Sequence, residues 1–156
     1  MINYQKILDT VISLAIERHA GQLDKAGKPY ILHPLHVMCD ELCKSYELKI
    51  IAICHDLLED TDTTAEELLA LGVPSDLVDC IKMLSKPKGT DYFVYLERLV
   101  KYDSVFPTIV KLADLRHNMD ISRIPNPTEK DYARREKYKK AEAFIVDYLK
   151  SINYVF

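Results

Sequence analysis

The sequence predicts an all-α protein, one helical bundle of about eight helices with no internal boundary. Apolar residues recur at helical spacing nearly throughout the 156 residues. No stretch alternates apolar and polar residues long enough to make a strand. Proline, serine and threonine fall where helices should begin. The first helix runs from about Tyr4 to His19, with Ile7, Val11, Leu14 and Ala15 along one face. Gly21 to Leu32 has turn chemistry, and Pro34 then suits the first turn of a second helix carrying Leu35, Val37, Met38 and Leu42. A third helix is expected over Glu47–Asp60, where the run Ile50-Ile51-Ala52-Ile53-Cys54 implies burial on nearly every side. Thr63 and Thr64 followed by Glu66 and Glu67 mark a helix start, because acids there complement the backbone dipole. Pro74-Ser75 opens the next helix, through Leu84, and after the basic loop Lys86–Gly89 another spans Tyr92 to Tyr102. Pro107 begins a helix bearing Ile109, Val110, Leu112 and Ala113. Pro125 and Pro127 bound a loop, and a long final helix covers Glu129 to Ile152. Residues 1–156 are expected to form a single domain.

Composition removes several functions. Lys plus Arg is 21 against 24 for Asp plus Glu, a net charge of −3, which disfavours the phosphate neutralisation that nucleic-acid binding requires. Only Gly21, Gly27, Gly72 and Gly89 are glycines, too few and too scattered for a glycine-rich phosphate cradle. Any phosphate chemistry must rest on side chains or a metal. Cys39, Cys43, Cys54 and Cys80 form no Cys-x-x-Cys pair and have apolar neighbours, so they read as free thiols. With no leader pattern in Met1–Lys6 and no long apolar span, the expectation is a cytoplasmic protein without a membrane partner.

Chemistry concentrates in His55-Asp56-Leu57-Leu58-Glu59-Asp60. On a continuous helix, His55 with Glu59 and Asp56 with Asp60 lie four apart on adjoining faces. Acids at a helix C-terminus oppose the dipole, and a divalent cation would cancel their repulsion. His33, before Pro34, and Asp114, interrupting an apolar helix face, can complete such a site, and Asn118 is one turn beyond Asp114. Isolated histidines such as His19 and His36 are more often structural. Two imidazoles and two carboxylates make a mixed nitrogen and oxygen set that suits Mn²⁺, Fe²⁺ or Zn²⁺ with positions left for water.

Three segments in order, Lys25-Ala-Gly-Lys-Pro-Tyr30-Ile-Leu-His33-Pro, His55-Asp56-Leu-Leu-Glu59-Asp60-Thr61 and Val110-Lys-Leu-Ala-Asp114-Leu-Arg-His-Asn118-Met, resemble the motifs of the HD-domain superfamily. More narrowly they resemble the hydrolase domain of RelA/SpoT proteins and the small alarmone hydrolases similar to the metazoan SpoT homologue. The resemblance spans nearly the whole chain and leaves no residues for a synthetase domain, so it implies a hydrolase only. It implies His33, His55, Asp56 and Asp114 as ligands of one metal, usually Mn²⁺, and Glu59 and Asp60 as the catalytic acid pair. It places Asn118 at the nucleotide sugar, Lys25 and Tyr30 near the substrate, and, more loosely, Arg134 and Tyr138 at phosphate. Arg134-Arg135-Glu136-Lys137 reads equally well as a solvated helix face, for which Arg135 and Lys139 are the better candidates.

Two positions depart from the pattern. Asp24 stands where the family usually has a basic residue stacked on guanine. An acid there is expected to accept hydrogen bonds from a base edge or to face water. Ile121 replaces a small hydroxyl residue. The implied activity is metal-dependent removal of the 3′-pyrophosphate of ppGpp or pppGpp. The alternatives are an HD phosphohydrolase acting on another nucleotide or a phosphorylated dinucleotide cofactor, and a silent nucleotide sensor.

Overall fold

Most helices in the computed structural model, which describes residues 1–156, start where the sequence supplies a cap or a proline. Asn3 accepts a hydrogen bond from the Lys6 amide at 3.0 Å and opens α1 (Tyr4–Arg18), which buries Leu8, Val11, Leu14 and Ala15. The following loop folds back on itself: the Asp24 amide donates to the Lys28 carbonyl at 2.8 Å and the Tyr30 amide to Gln22 at 2.9 Å. Gly27 makes that reversal possible with φ +76, a region other residues rarely enter. The loop leads into α2 (Leu32–Met38). Ser45 caps α3 (Tyr46–Cys54), and a two-residue turn separates it from the short α4 (Leu57–Asp60). Thr64 caps α5 (Ala65–Ala70), and Pro74 precedes α6 (Ser75–Leu84). Asp91 accepts from the Phe93 and Val94 amides at 2.9 and 3.1 Å to start α7 (Tyr92–Val100). Pro107 sits in the first turn of α8 (Phe106–Asn118), and after a 3₁₀ turn at Ile121–Arg123 comes α9 (Glu129–Ser151).

α3 is the central helix. Ile50 through Cys54 are all buried, as an apolar helix without a polar face must be, and α1, α2, α6 and α8 pack around it. α8 joins the two halves, packing against α2, α3, α6, α7 and α9. No helix is long and apolar enough to cross a membrane.

The expected helix over Glu47–Asp60 is two helices, which makes nine α-helices where about eight were expected. The break has a local cause. The Nδ1 atom of His55 bonds the Ala52 carbonyl at 2.6 Å, and the His55 amide reaches the same oxygen at 3.4 Å. That carbonyl is then engaged by residue 55 in place of the amide of residue 56, and the ladder stops. α2 is likewise shorter than its apolar pattern: Leu42 is buried in the turn beyond it, where its amide bonds the Asp40 side chain at 2.9 Å.

Candidate active site

Four side chains from three places converge: His33 from the first turn of α2, His55 and Asp56 from the turn after α3, and Asp114 from α8. The donor atoms of His33, His55 and Asp114 all lie within 4.8 Å of one another, so this buried His-His-Asp group can hold a metal ion. His33 Nε2 is 3.0 Å from Asp114 Oδ1, and His55 Nε2 is 3.0 Å from Asp56 Oδ2. The two Nε2 atoms face each other at 3.2 Å. His55 Nδ1 must carry its proton to bond the Ala52 carbonyl, so the neutral ring turns a bare lone pair towards His33 and both carboxylates. Lone pairs at these separations repel unless a positive charge sits among them. The residues therefore fit a divalent cation.

Where no cation neutralises them, the carboxylates draw a proton to the same place. Burial disfavours a charged His55, but Asp56 and Asp114 outweigh it and raise its pKa well above the ordinary value. Burial would likewise raise Asp56, yet His55 holds it down at about 2. Burial also works against a charged Asp114, but Lys111 and the two imidazoles hold it well below the usual range. Lys111 donates to Asp114 Oδ2 at 2.7 Å beneath the rings of Tyr92 and Tyr95, leaving Oδ1 towards the histidines. The Tyr30 hydroxyl donates to Asp56 Oδ2 at 2.6 Å. Burial and Asp56 raise its pKa, so it remains a donor.

A cavity of about 340 Å³ opens beside His33. Lys25, Tyr30, Asn118, Arg134 and Tyr138 all line it, although they come from the α1–α2 loop, α8 and α9. The Asn118 amide nitrogen is 2.7 Å from Asp114 Oδ1. Glu59 and Asp60 stand outside the lining, exposed at the end of α4. Partial burial raises the pKa of both carboxyls, helped for Glu59 by Asp60 and Asp56 and for Asp60 by Asp56.

No family model matches the chain. Individual proteins do. Over 118 residues, 68% of this chain, it is 33% identical to the bifunctional (p)ppGpp synthase/hydrolase SpoT of Escherichia coli, covering 16% of that protein. Over 56 residues, 35% of this chain, it is 52% identical to the guanosine-3′,5′-bis(diphosphate) 3′-pyrophosphohydrolase of Aquifex aeolicus, covering 8% of it. The chain thus matches less than a fifth of the length of either relative. A solved structure of a metazoan orthologue of SpoT that hydrolyses ppGpp shares the fold, with TM-score 0.71 and 19% identity over 96% of this chain and 97% of the other. The chain is an HD-type, RelA/SpoT hydrolase-like domain.

Asp24 in this hydrolase-like domain lines the cavity, with one of its oxygens fully engaged by its own turn. Its Oδ1 accepts from the Ala26 and Lys28 amides at 2.8 and 2.9 Å, and its Oδ2 lies 3.5 Å from Arg123 Nη2. Oδ1 is thus committed to the turn, while Oδ2 is drawn towards Arg123. Ile121 is absent from the cavity wall, whereas Arg123 of the same 3₁₀ turn and the following Ile124 belong to it.

Sequence reasoning missed four residues. Lys111 and His117 lie between motif positions on α8; Lys111 meets Asp114 at ordinary helical spacing, whereas only the folded site shows what His117 touches. Arg123 pairs across the cavity with a residue about a hundred positions away. Asp131 holds Arg134 at 3.0 Å and Lys25 at 3.8 Å while accepting from the Thr128 amide at 2.9 Å. The Thr-x-x-Asp spacing at the start of α9 was the available signal for Asp131, a helix-capping pattern. Lys139 pairs with Glu136 at 2.9 Å and Arg135 covers the Tyr132 ring, both outside the cavity.

Proposed function

We propose that residues 1–156 act as one metal-dependent phosphohydrolase domain that removes the 3′-pyrophosphate of ppGpp or pppGpp in the cytoplasm. The observation that carries this is the His33, His55, Asp56 and Asp114 cluster opening onto a cavity that also holds Lys25 and Arg134. The names of the relatives supply the substrate, and four free cysteines fit a reducing compartment. The donor set, two imidazole nitrogens and two carboxylate oxygens with Asp56 as the fourth ligand, suits Mn²⁺, and also Fe²⁺ or Zn²⁺. When bound, such a cation polarises a phosphoryl oxygen and makes water a better nucleophile.

The chain's own residues supply the rest. Lys25 and Arg134, held by Asp131, place positive charge against the phosphates. Asn118 faces the sugar, with Tyr30 and Tyr138 as walls. Glu59 accepts the proton of the attacking water, a task for which its raised pKa suits it. As the water oxygen bonds to phosphorus, the bond from phosphorus to the 3′-oxygen breaks. Asp60 supplies the proton that this oxygen takes up. One water is consumed, and one pyrophosphate leaves.

The test is an incubation with ppGpp and Mn²⁺ in which pyrophosphate and orthophosphate are both measured. Pyrophosphate alone is expected, in step with GDP. Orthophosphate from another nucleotide or a phosphorylated dinucleotide, with ppGpp untouched, would replace the substrate. Binding without any product would make the domain a sensor.

Asp24 gives a second expectation under the same reading. Asp24→Arg loses two amide acceptors and sets a guanidinium against Arg123. At about 1 kcal/mol for each of the two hydrogen bonds, the KM for ppGpp should rise by up to roughly thirtyfold. Asp24→Asn keeps an acceptor for the turn and should change KM less. A fall in KM for Asp24→Arg would show that residue 24 meets the base after all.

A further inference from the structure

His117 supplies nothing to the donor cluster, yet its ring touches it. His117 Nδ1 lies 2.7 Å from His33 Nδ1. The two rings are within 14° of parallel, and their centroids are 5.0 Å apart, the separation reached when that contact and the two ring radii lie end to end. The bond therefore runs edge to edge in a common plane. One proton serves two imidazole nitrogens so placed: one ring donates and the other accepts. His55 has settled the same question differently, since its Nδ1 faces a main-chain carbonyl, which can only accept. His33 has no carbonyl there. For His33 to turn a lone pair towards a cation at Nε2, its proton must sit on Nδ1, and His117 must accept it.

His117 is built to stay in that place. It is 8% exposed, its face is covered by the His36 ring at 3.8 Å and 19°, and Arg123 Nη1 donates to its main-chain oxygen at 3.0 Å. We propose that His117 is a positioning residue, the neutral hydrogen-bond acceptor that fixes the tautomer and orientation of His33 for a divalent cation. Such partners of metal-ligating histidines commonly change affinity ten- to a hundredfold when removed. This rests on the metal-binding part of the function proposed above and on nothing about the nucleotide.

The test is Mn²⁺ affinity without substrate, read from the spin-resonance signal of free Mn²⁺ with folding checked by circular dichroism. His117→Leu, which removes the acceptor, should weaken Mn²⁺ binding by roughly ten- to a hundredfold. His117→Asn, whose amide oxygen can replace Nδ1, should stay within a few-fold of the native chain. Native affinity in His117→Leu overturns the proposal, and so does an equal loss in both variants, which would mean that ring shape matters and not acceptance. Should His117→Leu fail to fold, long-range ¹⁵N–¹H spectra of the native protein with Zn²⁺ decide. His33 protonated on Nδ1 and His117 on Nε2 is expected, and the reverse for His117 overturns it. A native chain that binds Mn²⁺ but leaves ppGpp intact would sink the substrate and spare His117.

Discussion

His55→Ala and Asp114→Ala each lose both the bound divalent cation and turnover, by at least about a thousandfold, because a cation contributes several kcal/mol to the barrier. The effect should exceed that of any cavity residue, since these side chains belong to a group whose donor atoms all sit within 4.8 Å. The two variants should differ in stability. Removing the Asp114 carboxylate strands the buried Lys111 ammonium, which it holds at 2.7 Å, and breaking a buried pair from one side costs roughly 3–5 kcal/mol. Removing His55 leaves the His33 imidazole alone between Asp56 and Asp114 but frees no lysine. A thermal melt should therefore place Asp114→Ala below His55→Ala, and Asp114→Asn should recover part of the difference. EDTA should inactivate the native domain and lower its Tm, because the cation ties α2, the turn after α3, and α8 together. Added Mn²⁺ should restore both. Full activity in a preparation verified as metal-free would end the mechanism.

Glu59→Gln should keep the cation and lose turnover by roughly two to four orders of magnitude, the usual share of a general acid–base group. The separation follows from position: Glu59 lies exposed on α4, after the turn that carries His55 and Asp56. The amide keeps the shape of the side chain but cannot take a proton from water. Metal content should match the native domain, and KM should change little, since the proton transfer occurs only in the transition state. Asp60→Asn should show the same pattern. Loss of metal in Glu59→Gln would make Glu59 a ligand and assign the base elsewhere.

Most of the helices were legible in the sequence because their causes are local. Apolar spacing set the buried face of α1, capping side chains at Ser45, Thr64 and Asp91 set helix starts, and prolines set the starts of α6 and α8. The residue types of the candidate site were legible too, since acids crowded at the end of an apolar helix call for a compensating charge. Its geometry was not. Consecutive residues on a helix do not face each other, so His55 and Asp56 can meet at 3.0 Å only because α3 ends between Cys54 and Leu57. Helical spacing cannot reveal that break, which comes from a side chain bonding its own backbone. Asp24 follows the same rule: in the sequence it is an isolated acid, and only the folded loop commits Oδ1 to the turn and draws Oδ2 towards Arg123. By itself, then, the sequence determined an all-α chain with the ingredients of a metal site, because periodicity and charge are properties of neighbours along the chain. Which oxygens and nitrogens are free, and which are already engaged by Tyr30, His117 or Arg123, was decided only by packing, because those partners arrive from other elements of the fold.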